Sequence, residues 1–168
     1  MPERSTIKRA RADKRAGKSA STQAGEFVRE EMEHVRQGKH GARSSKQAIA
    51  IGLSKARRAG VKLAPPKKGT ASRRTRRQAV RDVAKGRAGT KSAPSRRRSR
   101  AVRRALAREG HRAASRASLA RQARSSARRR SAARRSAAAR KAARTKGARA
   151  RSAAARKGAR TRARHRTR

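Results

Sequence analysis

The chain has 168 residues, with 55 Lys and Arg against 8 Asp and Glu, a formal net charge of +47. Leu, Ile, Val and Phe number 14, about 8% of the chain, where under about 20% with high net charge marks sequences unable to offset the entropy of folding throughout. This excludes one large packed domain. It also argues against an enzyme, whose pocket needs an apolar wall and convergent polar groups.

Charge is uneven along the chain. Residues 1–66 carry 16 Lys and Arg and 6 acids, whereas residues 67–168 carry 39 and 2. Three parts are predicted: a basic disordered arm (1–18), a small module (19–66) and a basic low-complexity tail (67–168). The expected fold class is a small all-α helical hairpin, about residues 22–63. Long, mostly disordered basic segments would flank it on both sides and become helical on binding.

The arm lacks the apolar stretch of a secretory signal. Its basic character loosely suits a transit peptide, but Glu3 and Asp13 and the lack of an amphipathic apolar face count against that. Cysteine is absent, so no disulfide or thiolate metal site is possible.

Two helical segments are predicted in the module. In residues 26–36, Val28, Met32 and Val35 fall on one face, and Glu26, Glu30 and Glu31 crowd the end favoured by the helix dipole. Gly38 is a candidate stop. Ser44 and Gln47 then have the spacing of a capping box. Ile49, Leu53 and Ala56 line a second face, Lys55, Arg57 and Arg58 close it, and Gly60 ends it. A short connection makes an antiparallel hairpin, with the acidic start of the first helix beside the basic end of the second. Phe27 and Ile51 lie off the main stripes, as a second core contact or a partner-facing surface.

The stretch KHGARSSKQAIAIGLSKARRAGV (39–61), preceded by EFVREEM (26–32), resembles an uncharacterised family of small basic bacterial proteins. That family has no established activity and commonly carries a basic tail. The resemblance implies a bacterial origin and nucleic-acid association, and supplies no site residues.

Lys39, His40, Arg43 and Lys46 flank the start of the second helix, where free N–H groups favour an anion such as a DNA phosphate. His34 and His40 lie on either side of a turn. With no cysteine and no suitable carboxylate cluster beside them, they are expected to be ordinary exposed histidines, so neither metal nor cofactor is expected.

In the tail, two weak helices are predicted at 72–85 and 99–109, each with a stripe of two large apolar residues. A ten-residue segment, SAAARKAART (136–145), recurs as SAAARKGART (152–161). Alanine and arginine favour helix, but like charges at i,i+4 oppose it, which predicts disorder in the free tail. The candidate contacts comprise Arg57, Arg58, Arg73, Arg74, Arg76 and Arg77, then Arg96, Arg97 and Arg98. Arg128, Arg129, Arg130, Arg134, Arg135, Arg140, Lys141, Arg156 and Lys157 complete the set. Ser99, Ser131 and Ser136, flanked by arginine, are candidates for phosphorylation that would weaken binding.

The favoured partner is duplex DNA, bound without sequence preference. The tail composition is similar to linker-histone and protamine tails, and no zinc-finger or zipper spacing is present. A single aromatic residue argues against base-stacking platforms. RNA or ribosome association is the alternative, as is an adaptor whose hairpin engages a protein or a second copy. No membrane role is expected, and the expected location is the cytoplasmic nucleoid of a bacterium.

Overall fold

A computed structural model describes residues 2–89 and 95–166. Among them are seven α-helices and one short 3-10 helix, with no strand. The helices are α1 (Arg4–Arg15), α2 (Ala20–Arg36), α3 (Ser45–Arg58), α4 (Arg73–Ala88), α5 (Arg96–Ala107), α6 (Arg116–Arg128) and α7 (Ala132–Arg166), and the 3-10 helix is His111–Ala114. The chain divides into two compact units, Met1–Gln122 and Ala123–Arg168.

This overturns the expectation of a hairpin between mostly disordered segments. The arm is helix α1, packed antiparallel on α2 through Ile7 and Ala10, with Arg9 Nε 2.6 Å from Glu26. Residues beyond the proline pair return to the hairpin: α4 packs on α3, and the 3-10 helix packs on α2 and α3. The physical reason is that alanine, counted as too small to drive folding, allows helices to approach closely. Ala24, Ala48, Ala56 and Ala114 are all at 0% exposure.

Two apolar clusters lie along the α2–α3 seam. One joins Met32, Val35, Ala42 and Ala48 to Ala113 and Ala114, with Val28, Ile49 and Leu119 against it. The other sets Phe27 among Ala10, Ala24 and Ala56, with Ile7, Leu53, Val61 and Leu63 around it. Phe27 is thus a core residue at 1% exposure and offers nothing to a partner. Gly52 makes the seam tight: a Cβ there would sit 2.7 Å from Val28 Cα.

The helix ends follow local chemistry. Ser19, Ser44 and Ser72 each accept a backbone N–H from three residues on, capping α2, α3 and α4. Gln47 Oε1 reaches back to Arg43 N at 2.9 Å, one residue earlier than the usual capping box places it. At the end of α3, Gly60 adopts φ +87°, Val61 N donates to Ala56 O and Val61 packs on the second cluster, a Schellman closure.

Polar contacts finish the assembly. Lys55 Nζ lies 3.4 Å from Glu30 and 2.6 Å from Glu31, two carboxylates at 2% and 1% side-chain exposure. Asp82, also 1% exposed, ties α4 to α3 by accepting from Ser54 and from Arg58 Nε at 2.7 Å, and also accepts from Gln78 of its own helix at 3.0 Å.

The second unit is built differently. Helix α7 is broken by Gly147 at φ 67°, ψ 166°, and no residue of this unit whose exposure is described is buried. Its helix is local. Ser131 accepts from Arg134 N, and Thr145 and Thr161 bond back to Lys141 and Lys157 carbonyls. Ala and Arg propensity outweighs the i,i+4 repulsion that predicted disorder, since such pairs cost only about 0.2–0.5 kcal/mol each.

The seam can be probed by two substitutions. Replacing Lys55 by Ala strands two buried carboxylates and lowers the unfolding free energy by about 3–5 kcal/mol. Urea denaturation followed by circular dichroism checks this, and a loss below about 1 kcal/mol would contradict it. Gly86→Ala raises helix propensity by about 1 kcal/mol, yet its Cβ would overlap the Arg57 carbonyl. The expected net effect is therefore destabilisation, read as faster tryptic cleavage within α4; unchanged or slower cleavage would refute it.

Candidate nucleic-acid interface

The eight acidic residues define where positive charge is left outside. Glu3, Asp13, Glu26, Glu30, Glu31, Glu33 and Asp82 each lie within 4 Å of a basic group of the same unit. Three of them, Glu30, Glu31 and Asp82, are buried. After Glu109 the sequence contains no Asp or Glu.

The turn before α3 is not an open anion site. His40 is half-buried, with Nε2 3.1 Å from Glu31, and Lys39 Nζ lies 3.5 Å from Glu3. Glu3 is held below the ordinary glutamate range, chiefly by its hydrogen bond from His34, with desolvation opposing and Lys39 adding to the lowering. Residues 106–110 cover the turn: Gly41 N donates to Leu106 O at 2.9 Å and Ala42 N to Gly110 O at 3.1 Å. Of that group of four cations, Arg43 and Lys46 are exposed at the helix start and face solvent.

Arg57 serves the fold. It is 8% exposed, and its guanidinium donates to the Leu63 and Ala64 carbonyls at 3.4 Å each. Burial lowers its pKa, with Asp82 partly opposing. Arg58 is half-exposed but bound to Asp82.

Helix α4 is two-sided. Ala79 and Asp82 face α3, while Arg73, Arg74, Arg76 and Arg77 are exposed. At about 100° per residue, Arg73, Arg74, Arg77 and Arg81 fall on the side away from the buried pair. Helix α5 sorts the same way: Arg96, Arg97, Arg100, Arg103 and Arg104 share one side, and Val102 and Leu106 the other. Arg98 falls apart from that stripe. Arg81, Arg100, Arg103 and Arg104 were absent from the sequence-based candidates; the 3.6-residue period, applied to the charges as well as to the apolar residues, would have found them.

In the second unit, Arg128, Arg129, Arg130, Arg134, Arg135, Arg140, Lys141, Arg156 and Lys157 are all exposed. Helix α7 holds 14 Lys and Arg and no acid over its 35 residues. On each side of the break the basic positions spread over roughly two-thirds of the helix circumference, leaving a narrow neutral stripe (Ala132, Ser136, Ala139 and Ala143 before Gly147).

Residues 11–68 match a family model described as a family of unknown function, DUF6496. That span runs from within α1 past the end of α3 and includes the 39–61 stretch. No curated protein and no solved structure matches the chain. Among the described residues, no helix is long and apolar enough to cross a membrane.

Two variants separate structural from interfacial arginine. Reversing charge with Arg77→Glu and Arg81→Glu together should weaken duplex binding several-fold and flatten the log–log salt slope by about 2. Arg57→Met should instead lower the melting temperature and leave that slope unchanged. Fluorescence anisotropy across a salt series measures both, and equal slopes for the double variant and the parent would remove α4 from the interface.

Proposed function

We propose that the protein is a non-enzymatic, sequence-independent binder of duplex DNA that neutralises and compacts it, in the manner of nucleoid-associated and linker-histone-like proteins. The observation that carries this reading is α7, 35 residues with 14 cations and no acid, the charge spread around most of the helix on either side of Gly147. At 1.5 Å per residue its contour is about 52 Å, and duplex DNA presents about 30 charges over that length. A helix basic on one side could line one phosphate backbone. One basic around most of its circumference can contact two at once, across a groove or between two duplexes, which is the geometry of bridging.

Arginine outnumbers lysine 41 to 14. Its planar fork pairs bidentately with phosphate and enters narrow minor grooves. The first unit adds the basic sides of α4 and α5, while seven of its eight carboxylates lie beside basic groups of the same unit. Nothing in either unit fixes side chains against base edges, so affinity comes from phosphate and falls steeply with salt.

With about ten phosphates engaged, log Kd should rise with log salt with a slope of about 9. A chain ending at Gln122 lacks 19 cations of the second unit. Its slope should fall by about 0.9 for each phosphate that the shortened chain leaves unengaged, and it should not condense DNA. The check is anisotropy for affinity and light scattering for condensation, with a structured RNA of equal length as competitor. An unchanged slope in the shortened chain would sink the assignment to α7. Preference for the RNA at matched salt would replace DNA as the ligand.

A further inference from the structure

We infer that Glu31, His34 and His40 form a binding site for a divalent transition metal, with zinc the best match to the donors. One ligand atom from each residue lies within 4.8 Å of the other two. Glu31 and His34 are three apart on α2, hence on one face of it. The chain then reverses at Gly38, φ +73°, with Lys39 N donating to His34 O at 3.0 Å, and this closure brings His40 back to the same place.

His40 shows why the place wants a cation. Its Nδ1 is 3.1 Å from the Gly41 carbonyl, which can only accept, so Nδ1 carries a proton. In the neutral ring, Nε2 then presents a lone pair to Glu31 Oε1, 3.1 Å away. Two lone pairs at that distance repel unless a proton or a metal ion lies between them. A backbone carbonyl on the far nitrogen is also the arrangement that orients metal-bound imidazoles.

Glu31 supplies the second observation. It is 1% exposed, and neither carboxylate oxygen has a hydrogen-bond partner. Lys55 Nζ is close to Oε2 at 2.6 Å without the alignment of a hydrogen bond, which leaves Oε1 for a metal. Ligands at about 2.0–2.2 Å from a tetrahedral ion are about 3.3–3.5 Å apart, near the observed Oε1–Nε2 spacing. The two rings meet edge to face at 86° with centroids 6.1 Å apart, so they converge without stacking. Lys39 and Lys55 oppose a cation here, but Glu3 faces His34 and Lys39, and Glu30 faces Lys55, so three carboxylates answer two ammonium groups. Two imidazoles and one carboxylate are a zinc donor set with room for a fourth ligand.

The test uses the full chain, freed of metal with a chelator and without DNA. Zinc titration by calorimetry should give one site per chain and raise the melting temperature, and cobalt should develop visible absorption that zinc abolishes. His34→Ala and His40→Ala should each weaken zinc at least tenfold. His111→Ala, at an exposed histidine near the same turn, should leave affinity within twofold. No heat and no cobalt absorption with the parent chain would overturn the site. So would unaltered affinity in a folded His40→Ala chain, or a loss in His111→Ala as large as in the other two. If the alanine variants unfold, the parent spectrum decides alone.

Discussion

The contact of Lys55 with the buried pair Glu30 and Glu31 is the constraint on which the first unit is arranged. Adjacent carboxylates inside a helix pair repel one another and lose hydration, so they persist only with positive charge held against them. Lys55 supplies it from α3, Glu30 also accepts the Glu3 backbone N–H at 3.1 Å, and His40 approaches Glu31 from the turn. One acidic pair thereby fixes three things: the register of α2 on α3, the docking of α1 and the path of the connecting turn. The two apolar clusters, built chiefly from alanine, pack tightly but have little shape to specify register. The ionic contacts carry that information.

The same arrangement explains the surface. A chain of net charge +47 repels itself, and any carboxylate left outside would weaken its hold on a polyanion. Seven of the eight acids lie beside basic groups of their own unit, and the three buried ones sit at helix contacts. Folding thus buries three of the carboxylates and pairs four more with basic groups, engaging few arginines in doing so. Arg9 is held by Glu26, Arg36 lies beside Glu33, Arg58 is held by Asp82, and Arg57 is held by backbone carbonyls.

How much of this was legible in the sequence depends on the scale of the signal. The stripes of α2 and α3, the Ser44 cap and the Gly60 stop could be read because each is local and chemically distinct. Phe27 could be read only as a core contact or a partner-facing residue, the structure showing the first, because its partners Ala10 and Ile7 come from α1, a segment whose composition reads as a solvated arm. The covering of the α3 start was hidden for a similar reason. It depends on Ala113, Ala114 and the chain at 106–110, and two small alanines carry no pattern when read alone. Treating Lys39 and His40 as phosphate ligands followed from their place at a helix start. Only the fold shows that Glu3 and Glu31 hold them. Arg57 and Arg58 look alike in sequence, and only the return of residues 63–64 and of α4 separates them from free surface cations.

The two units illustrate different balances between the same forces. In the first, alanine works through burial, at 0% exposure in the seam. In the second, alanine is exposed and contributes through propensity alone, as the least costly residue to place in a helix. Arginine repulsion along α7 is spread around most of the helix, so no single pair dominates, and each costs a few tenths of a kcal/mol in water and less with salt. A helix held so weakly by internal terms, and broken at Gly147, keeps its charges aligned over short stretches while letting successive stretches follow separate backbones. Concentrating the same cations on one side would bind a single duplex more tightly but leave nothing with which to reach another. Under the proposed DNA-binding reading, charge spread around most of the helix suits bridging better than simple coating, and the repeat at 136–145 and 152–161 sets the same Arg-Lys step on either side of the break.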